Sequence, residues 1–180
     1  MERKLHNKKS VIFVCLGNIC RSPLAEGVAK AKAKELGLDI KIESAGLSAY
    51  HNGENPCYVS QNLARKNGID ISNLVSEHIS DFDLDSFDLI VALDESNKND
   101  LISLGYKNVK KLGDFGFNGK DVADLYYYPQ KEDEVWEMIN IAVNNILKSK
   151  LFLWYLYFLL QYKKLHLKHA LLLELKVYKR

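Results

Sequence analysis

The stretch SVIFVCLGNICRSPLAEG, residues 10–27, joins a short apolar run to a helix through a polar loop. The run SVIFVC (10–15) is continuous and rich in β-branched residues, which is the pattern of a parallel strand covered on both faces. Residues 22–37 then predict a helix with Ser22 as its cap and Pro23 at its first position. The stretch therefore indicates the first strand–loop–helix unit of an α/β fold.

The same alternation continues along the chain. Apolar runs predict strands at 40–44, 87–93 and 108–112, and helical patterns predict helices at 55–68, 95–105 and 132–149. Asp94 is expected to cap the helix at 95–105. Short connections between these elements predict a doubly wound, flavodoxin-like α/β fold, in which a parallel four-stranded sheet carries helices on both faces. Ligands of such sheets lie beyond the carboxyl ends of the strands, so the loop after the first strand is the first candidate site.

Composition and charge indicate one domain with a short extension. The 180 residues are 47% hydrophobic, which is enough to bury a core. The formal charge is +2, but residues 151–180 hold six basic residues and one acidic residue, so residues 1–150 carry a charge of −3. That balance argues against nucleic-acid binding. We predict a domain over 1–150 and an apolar and basic extension over 151–180.

The extension begins with LFLWYLYFLL (151–160), whereas a membrane-spanning helix needs about 20 apolar residues. Lys163 and Lys164 end this run. Three interpretations stay open: a segment packed on the domain, a basic amphipathic helix that contacts a membrane or a partner, or the product of a shifted reading frame.

The three cysteines (Cys15, Cys20 and Cys57) do not form the disulfide framework of a small secreted protein, and the start of the chain lacks a signal-peptide pattern. We therefore expect a reducing, cytoplasmic setting. Cys57 falls in a predicted helix and is expected to be a packing residue. The histidines lack metal-ligand spacing, and those expected at the surface are His51, His78, His166 and His169.

The loop between Cys15 and Arg21 has the features of an anion site. A strand–loop–helix junction directs backbone N–H groups and the positive end of the helix dipole toward one point, where an anion the size of phosphate fits. Arg21 can hold two oxygens of that anion as a planar fork. The same field favours the thiolate of Cys15, which is its nucleophilic form. The constellation suggests phosphoryl transfer to sulfur.

The string VCLGNICRSP (14–23) resembles the C-x5-R-S loop of the low-molecular-weight protein tyrosine phosphatases. The resemblance extends over residues 10–149. Three further segments are similar to the family's sequence: SAGLSAYHNGENP (44–56), ALDESNKNDL (92–101) and DLYYYP (124–129).

The resemblance implies three catalytic residues. Cys15 would be the nucleophile that forms a phosphocysteine intermediate, and Arg21 would hold the phosphoryl oxygens. Asp124 would be the general acid for the leaving phenol and then the base for the hydrolytic water. No cofactor and no metal are implied, because Arg21 and the loop dipoles supply the positive field.

The resemblance also implies binding and supporting residues. Asn18 would brace the loop with Ser44 behind it, and Ser22 would give the thiolate a hydrogen bond. For Cys20 two interpretations stay open: it traps an oxidised Cys15 as a reversible disulfide, as in the family, or it packs under the loop. The residues expected to bind the phosphate or line the cleft are Leu16, Gly17, Asn18, Ile19, Cys20, Ser22, Tyr50, Tyr126 and Tyr127.

Two departures from the family pattern carry expectations. Leu125 stands where the family has a proline, and the loss of that stiff residue predicts a more mobile Asp124. Asn73 or Leu74 stands near the place of a histidine and Glu77 near that of an arginine, which predicts an incomplete hydrogen-bond network behind Asn18.

The predicted function is hydrolysis of phosphotyrosine in proteins and of small aryl phosphates by a monomer or weak dimer. Relatives that dephosphorylate arginine tend to carry Thr where this chain has Ile19, and an apolar residue there suits an aromatic ring. The alternatives are a weakly active or non-catalytic phosphate-binding module, and an arsenate reductase. An arsenate reductase needs further cysteines to relay electrons, and only Cys57 is available.

Overall fold

The computed structural model describes residues 9–149, which form four strands and four main helices. The strands are β1 (Lys9–Cys15), β2 (Ile40–Gly46), β3 (Leu89–Ala92) and β4 (Val109–Lys111). The helices are α1 (Arg21–Glu35), α2 (Tyr58–Lys66), α3 (Glu95–Ser103) and α4 (132–149). Among these residues no helix is long and apolar enough to cross a membrane.

All strand pairs are parallel, and the strand order is β2–β1–β3–β4. The chain leaves β1 in one direction toward β2 and later runs from β3 to β4 in the other. Right-handed crossovers then place α1 and α3 on opposite faces of the sheet. This arrangement confirms the predicted doubly wound α/β fold and puts the switch point, where ligands bind, beside the end of β1.

Strand β1 is the centre of the core. Val11, Ile12, Phe13 and Val14 have no exposed surface. Ile12 and Val14 belong to a buried cluster that includes Leu101 of α3. A strand covered on both faces cannot alternate apolar and polar residues, which explains the continuous apolar run at 10–15.

The start of α1 differs from the prediction. The helix begins at Arg21, its N-cap is Cys20, and no side chain caps it. Ser22, the expected cap, lies inside the first turn and is fully buried. The hydroxyl of Ser22 is therefore available for hydrogen bonds within the loop instead of capping the helix.

The chain divides into two units, Met1–Asn145 and Ile146–Arg180. The first unit contains the sheet and helices α1 to α3. The predicted extension at 151–180 lies outside the described residues, and the domain boundary at 150 stays a prediction.

Candidate active site

The carbonyl groups of the loop from Cys15 to Arg21 accept hydrogen bonds from residues outside the loop. The carbonyls of Cys15 and Leu16 accept hydrogen bonds from Leu47 N (3.0 Å) and Ser48 N (2.8 Å), just beyond β2. Ile19 O accepts a hydrogen bond from Cys57 N at 2.6 Å. Because the N–H and C=O of trans peptides point in opposite directions, carbonyls bonded outward turn N–H groups toward the inside of the loop. The result is a cradle for an anion.

Asn18 braces this loop with every polar atom of its side chain. Its Nδ2 donates to Ser22 Oγ and to Ser44 Oγ, both at 2.8 Å, and its Oδ1 accepts from Glu77 N at 2.8 Å. The residue is 1% exposed and has a left-handed φ of 49°. The expectation of an incomplete network is wrong, because a backbone N–H completes it where the family pattern would place a side chain.

A buried glutamate that the sequence analysis missed extends the network. Ser44 Oγ donates to Glu26 Oε2 at 2.5 Å, and Lys30 Nζ donates to Glu26 Oε1 at 2.5 Å. Glu26 is 5% exposed. Its position four residues after Ser22 on α1 puts it on the same helix face as Ser22, and this spacing was the signal that could have found it.

Cys15 lies at the base of the cradle. Its side chain is 3% exposed, and its thiol is free. Ser22 Oγ lies 3.1 Å from Cys15 Sγ, and Asn18 N–H donates to the sulfur at 3.3 Å. Two donors at this distance stabilise a thiolate.

Arg21 joins two carboxylates at the rim of the loop. Its Nη1 lies 2.5 Å from Asp94 Oδ2, and its Nη2 lies 3.2 Å from Asp124 Oδ2. Burial by itself lowers the pKa of Arg21, but the charges of Cys15, Asp94 and Asp124 outweigh burial and raise it above its ordinary value. Arg21 therefore stays charged and fixed in direction.

Asp94 has two roles, of which the sequence indicated only one. Its Oδ1 accepts from Asn97 N at 2.7 Å, as expected for the cap of α3. Its other oxygen orients Arg21, 73 residues away in the chain. A cap leaves one carboxylate oxygen unused, and the tertiary fold brings Arg21 to it.

The acid loop, residues 121–128, is held by a local turn. Asp124 Oδ1 accepts from Tyr126 N at 3.0 Å, and Asp124 O accepts from Tyr127 N (3.1 Å) and Tyr128 N (2.9 Å). Leu125 is 1% exposed. Leu125, the residue in the place of the proline, therefore anchors the loop by burial, and the greater mobility of Asp124 stays a prediction.

The loop and the acid face an open cleft of about 650 Å³. Tyr50, Tyr126 and Tyr127 line it and are 84%, 77% and 71% exposed. His51, expected to be an ordinary surface residue, also lines the cleft. Its ring packs close to Gly17: a Cβ at this position would lie 3.1 Å from the ring, so a larger residue would require the His51 side chain to shift.

Cys57 is not a packing residue of a helix. It is the N-cap of α2, and its sulfur is bonded to Cys20 in a disulfide with a Cα–Cα distance of 5.3 Å. The expectation for Cys57 was wrong because the chain returns to the loop 37 positions after Cys20. In this state Cys20 is not available to trap Cys15.

The comparisons with known proteins agree with this geometry. A family model for the low molecular weight phosphotyrosine protein phosphatases matches residues 10–151. The chain is 39% identical over 148 residues to the low molecular weight protein-tyrosine-phosphatase YfkJ of Bacillus subtilis (strain 168), covering 78% of this chain and 94% of that protein. It is 36% identical over 143 residues to PtpA of Staphylococcus aureus (strain Newman), covering 76% and 90%.

The crystal structure of YfkJ from Bacillus subtilis matches this fold with a TM-score of 0.72 at 37% identity, covering 79% of this chain and 94% of that one. Fold and sequence thus agree over the same four-fifths of the chain. These matches confirm the resemblance that began with the loop after β1: the chain belongs to the low molecular weight phosphotyrosine protein phosphatase family.

Proposed function

We propose that this chain hydrolyses phosphotyrosine in proteins, and small aryl phosphates, through a phosphocysteine intermediate. One observation carries the proposal: Arg21 joins the carboxylate of Asp124 above a loop whose base holds the free thiol of Cys15. A nucleophile, a phosphate ligand and an acid thus lie in one cleft. The names of YfkJ and PtpA, both protein-tyrosine-phosphatases, support the same reaction class.

In the first step the phosphoryl group enters the cradle and takes the place of Asp124 as a partner of Arg21. Cys15 Sγ attacks phosphorus, so that an S–P bond forms while the bond to the phenol oxygen breaks. Asp124, released from Arg21 and protonated, gives its proton to the leaving oxygen. Arg21 and the inward N–H groups stabilise the charge on the three equatorial oxygens.

In the second step a water replaces the phenol. Asp124, now ionised, accepts a proton from this water as its oxygen attacks phosphorus. The S–P bond breaks, and inorganic phosphate and the Cys15 thiolate are formed. Ser22 and Asn18 stabilise that thiolate as the leaving group, so the same two contacts assist both steps.

The shape of the cleft supports aryl substrates. The exposed rings of Tyr50, Tyr126 and Tyr127 stand around the loop and offer apolar faces to a phenyl ring. Ile19 adds an aliphatic wall at the loop itself. An alkyl phosphate would leave these faces in water.

The test is turnover of p-nitrophenyl phosphate and of a phosphotyrosyl peptide by the full chain. Cys15→Ser should lose about 10⁴-fold or more, because no comparable nucleophile remains. Asp124→Asn should lose about 10²- to 10⁴-fold in kcat, because the acid and base are removed. Asp85→Asn, an exposed aspartate away from the cleft, is the matched control.

Turnover that survives in Cys15→Ser would contradict the phosphocysteine mechanism. Wild type that binds phosphate without any turnover would identify a phosphate-binding module instead. Acid quench of the wild type during turnover should trap phosphate on Cys15, detectable by mass spectrometry.

A further inference from the structure

All three cysteines of the chain meet at one cleft. Cys15, Cys20 and Cys57 all line it. The proposed reaction needs only Cys15, which is the free thiol, whereas Cys20 and Cys57 are bonded to each other. Cys57 comes from a segment outside the phosphate loop, at the start of α2. A disulfide that closes on the loop, beside a nucleophile that stays reduced, calls for a chemical explanation.

We propose that Cys15, Cys20 and Cys57 form a thiol relay that reduces a hydroperoxide at Cys15 and passes the oxidation to the Cys20–Cys57 pair. The relay rests on the proposed function only in taking Cys15 as a reactive thiolate. The bonding pattern in the structure corresponds to the end state of the relay, in which Cys20 and Cys57 form a disulfide and Cys15 is again a free thiol.

The relay has three steps, with hydrogen peroxide as the simplest oxidant. The Cys15 thiolate attacks the peroxide, an S–O bond forms, the O–O bond breaks, and hydroxide leaves as a sulfenic acid is formed. The Cys20 thiolate then attacks Cys15 sulfur, an S–S bond forms, and the S–O bond breaks to release a second hydroxide. Two protons convert these hydroxides to water. Finally the Cys57 thiolate attacks Cys20 sulfur and expels the Cys15 thiolate.

The last step runs toward Cys15 because Cys15 is the better leaving group. Its thiolate receives the Asn18 N–H at 3.3 Å and has the Ser22 hydroxyl 3.1 Å away. Thiol–disulfide exchange favours departure of the sulfur whose thiolate is more stable. Cys57 therefore attacks the sulfur of Cys20 and expels the Cys15 thiolate, rather than attacking the sulfur of Cys15 and expelling Cys20.

Cys57 is placed to make that attack. Its backbone N–H donates to Ile19 O at 2.6 Å, which holds the start of α2 directly on the loop next to Cys20. The Cα–Cα distance of 5.3 Å between Cys20 and Cys57 lies in the usual range for disulfides.

The surroundings of Cys57 also suit the attacking and recycling steps. As N-cap of α2 it lies at the positive end of the helix dipole, and its sulfur is 3.3 Å from Ser60 Oγ. Both features favour a thiolate. Cys57 is partly exposed, whereas Cys15 is 3% exposed, so an external dithiol can reach the pair more easily than the nucleophile.

The relay changes what peroxide does to the enzyme. A two-cysteine trap between Cys15 and Cys20 leaves the phosphatase inactive until it is reduced. With Cys57 as the third member, each chain consumes one peroxide and keeps its nucleophile, and a dithiol resets the pair.

The test uses the full chain, reduced with dithiothreitol, freed of reductant and treated with one equivalent of hydrogen peroxide. Disulfides are mapped by mass spectrometry of alkylated peptides, and phosphatase activity is normalised to each protein's own untreated value. Wild type should form Cys20–Cys57, keep an alkylatable Cys15 and retain most of its activity. Cys57→Ser should stop at Cys15–Cys20 and lose activity until dithiothreitol is added.

Two further variants test the order of the steps. Cys15→Ser should form the Cys20–Cys57 disulfide at least about tenfold more slowly, because the peroxide-reactive thiolate is absent. Cys20→Ser, treated with an excess of hydrogen peroxide, should lose activity that dithiothreitol does not restore, because nothing resolves the sulfenic acid before a second peroxide oxidises it to sulfinic acid.

Two results would overturn the relay. One is a Cys15→Ser variant that forms the pair as fast as wild type, since the peroxide would then bypass Cys15. The other is a wild type that accumulates Cys15–Cys20 as Cys57→Ser does. Disulfide mapping does not depend on phosphate turnover, so a chain that forms the pair through Cys15 but hydrolyses no phosphate ester would refute the proposed function and leave the relay standing.

Discussion

The phosphate loop (residues 15–21) and the acid loop (residues 121–128) face the same cleft but are held by different means. The phosphate loop is bonded on its outer side by residues next to β2 and at the start of α2, and the side chain of a buried asparagine braces it through three further hydrogen bonds. The acid loop has one local turn, one buried leucine and an ionic cluster at its beginning. Many contacts therefore fix the phosphate loop, whereas the acid loop depends on a few contacts.

The difference corresponds to what each loop does in the proposed reaction. Groups that stabilise charge on phosphorus are most effective when they are fixed before the reaction, because no reorganisation is then needed. The acid must leave Arg21 when the phosphate arrives, and it must give and take a proton in successive steps. A loop held by fewer contacts permits this movement.

The ionic cluster connects the two loops. Lys111 Nζ lies 2.8 Å from Glu95 Oε2 and 2.8 Å from Asp121 Oδ1, and Glu95 N donates to Asp121 Oδ1 at 3.1 Å. Glu95 follows Asp94, the partner of Arg21, and Asp121 begins the acid loop. Lys111 is 7% exposed, and its hydrogen bonds to Asp121 and Glu95 raise its pKa despite burial.

The largest effect is expected from Asn18→Ala, which removes the side chain that braces the phosphate loop. The substitution removes three hydrogen bonds: Glu77 N loses its acceptor, and the hydroxyl groups of Ser22 and Ser44 each lose a donor. We expect kcat/KM for p-nitrophenyl phosphate to fall about 10²- to 10³-fold. The free energy of unfolding in urea should fall by about 2 to 3 kcal/mol.

Asn118→Ala is the matched control, because Asn118 also has a left-handed φ, of 50°, but is exposed. A similar loss of activity in the control would mean that backbone strain, not bracing, explains the result. An active Asn18→Ala would show that the loop is held by its carbonyl contacts alone.

A smaller effect is expected from Lys111→Met, which loosens the acid loop and leaves the phosphate loop intact. Without the ammonium group of Lys111, Glu95 and Asp121 repel each other. The first residue of the acid loop is then no longer fixed, so Asp124 is positioned less precisely. We expect kcat to fall about tenfold with phenyl phosphate and less with p-nitrophenyl phosphate, because the poorer leaving group depends more on the acid.

Lys111→Arg should recover most of the lost rate, since it restores the charge, and Lys110→Met is the control on the exposed side of β4. An equal loss with both substrates would refute a positioning role, because a general loss of folded protein does not distinguish leaving groups.

The smallest effect is expected from Glu77→Gln, which keeps the backbone N–H that Asn18 uses. Partial burial raises the pKa of the otherwise exposed Glu77, the carboxylates of Glu43, Asp81 and Glu26 raise it further, and Lys30 opposes them. A carboxyl group with a higher pKa in the folded state holds its proton more tightly there. Its contribution to stability therefore falls as the pH rises above the ordinary value of 4.5.

Glu77→Gln should thus be more stable than wild type at pH 7, by less than about 1 kcal/mol because the side chain is exposed. The gain should shrink as the pH falls through 4.5 and disappear at about pH 3, where Glu77 is protonated in both states. Urea unfolding at the two pH values measures it, with Glu137→Gln as the exposed control. A variant less stable than wild type at pH 7 would show that the charge of Glu77 is favourable.

The parts of the site that sequence analysis found and missed differ in how they are encoded. Cys15, Asn18, Arg21 and Ser22 lie within eight consecutive residues, so the loop could be identified from one string. Glu26, Lys111 and the second role of Asp94 were missed, because an acidic or basic side chain on a helix or strand has the same local pattern whether it is solvated or paired. The pairing of Cys20 with Cys57 was also missed, because the local pattern around a cysteine is the same whether its sulfur is free or bonded.

The sequence by itself determined the doubly wound fold and the nature of the loop after β1, because periodicity, strand-forming runs and a contiguous motif are properties of neighbouring residues. The tertiary structure alone decided that Asp94 orients Arg21, that a backbone N–H completes the network at Asn18, and that Cys57 reaches Cys20. Those contacts join residues 37 to 73 positions apart, or depend on strand order and register, which no local pattern encodes. Local propensity determines where the strands and helices form, and packing of the sheet brings their ends together.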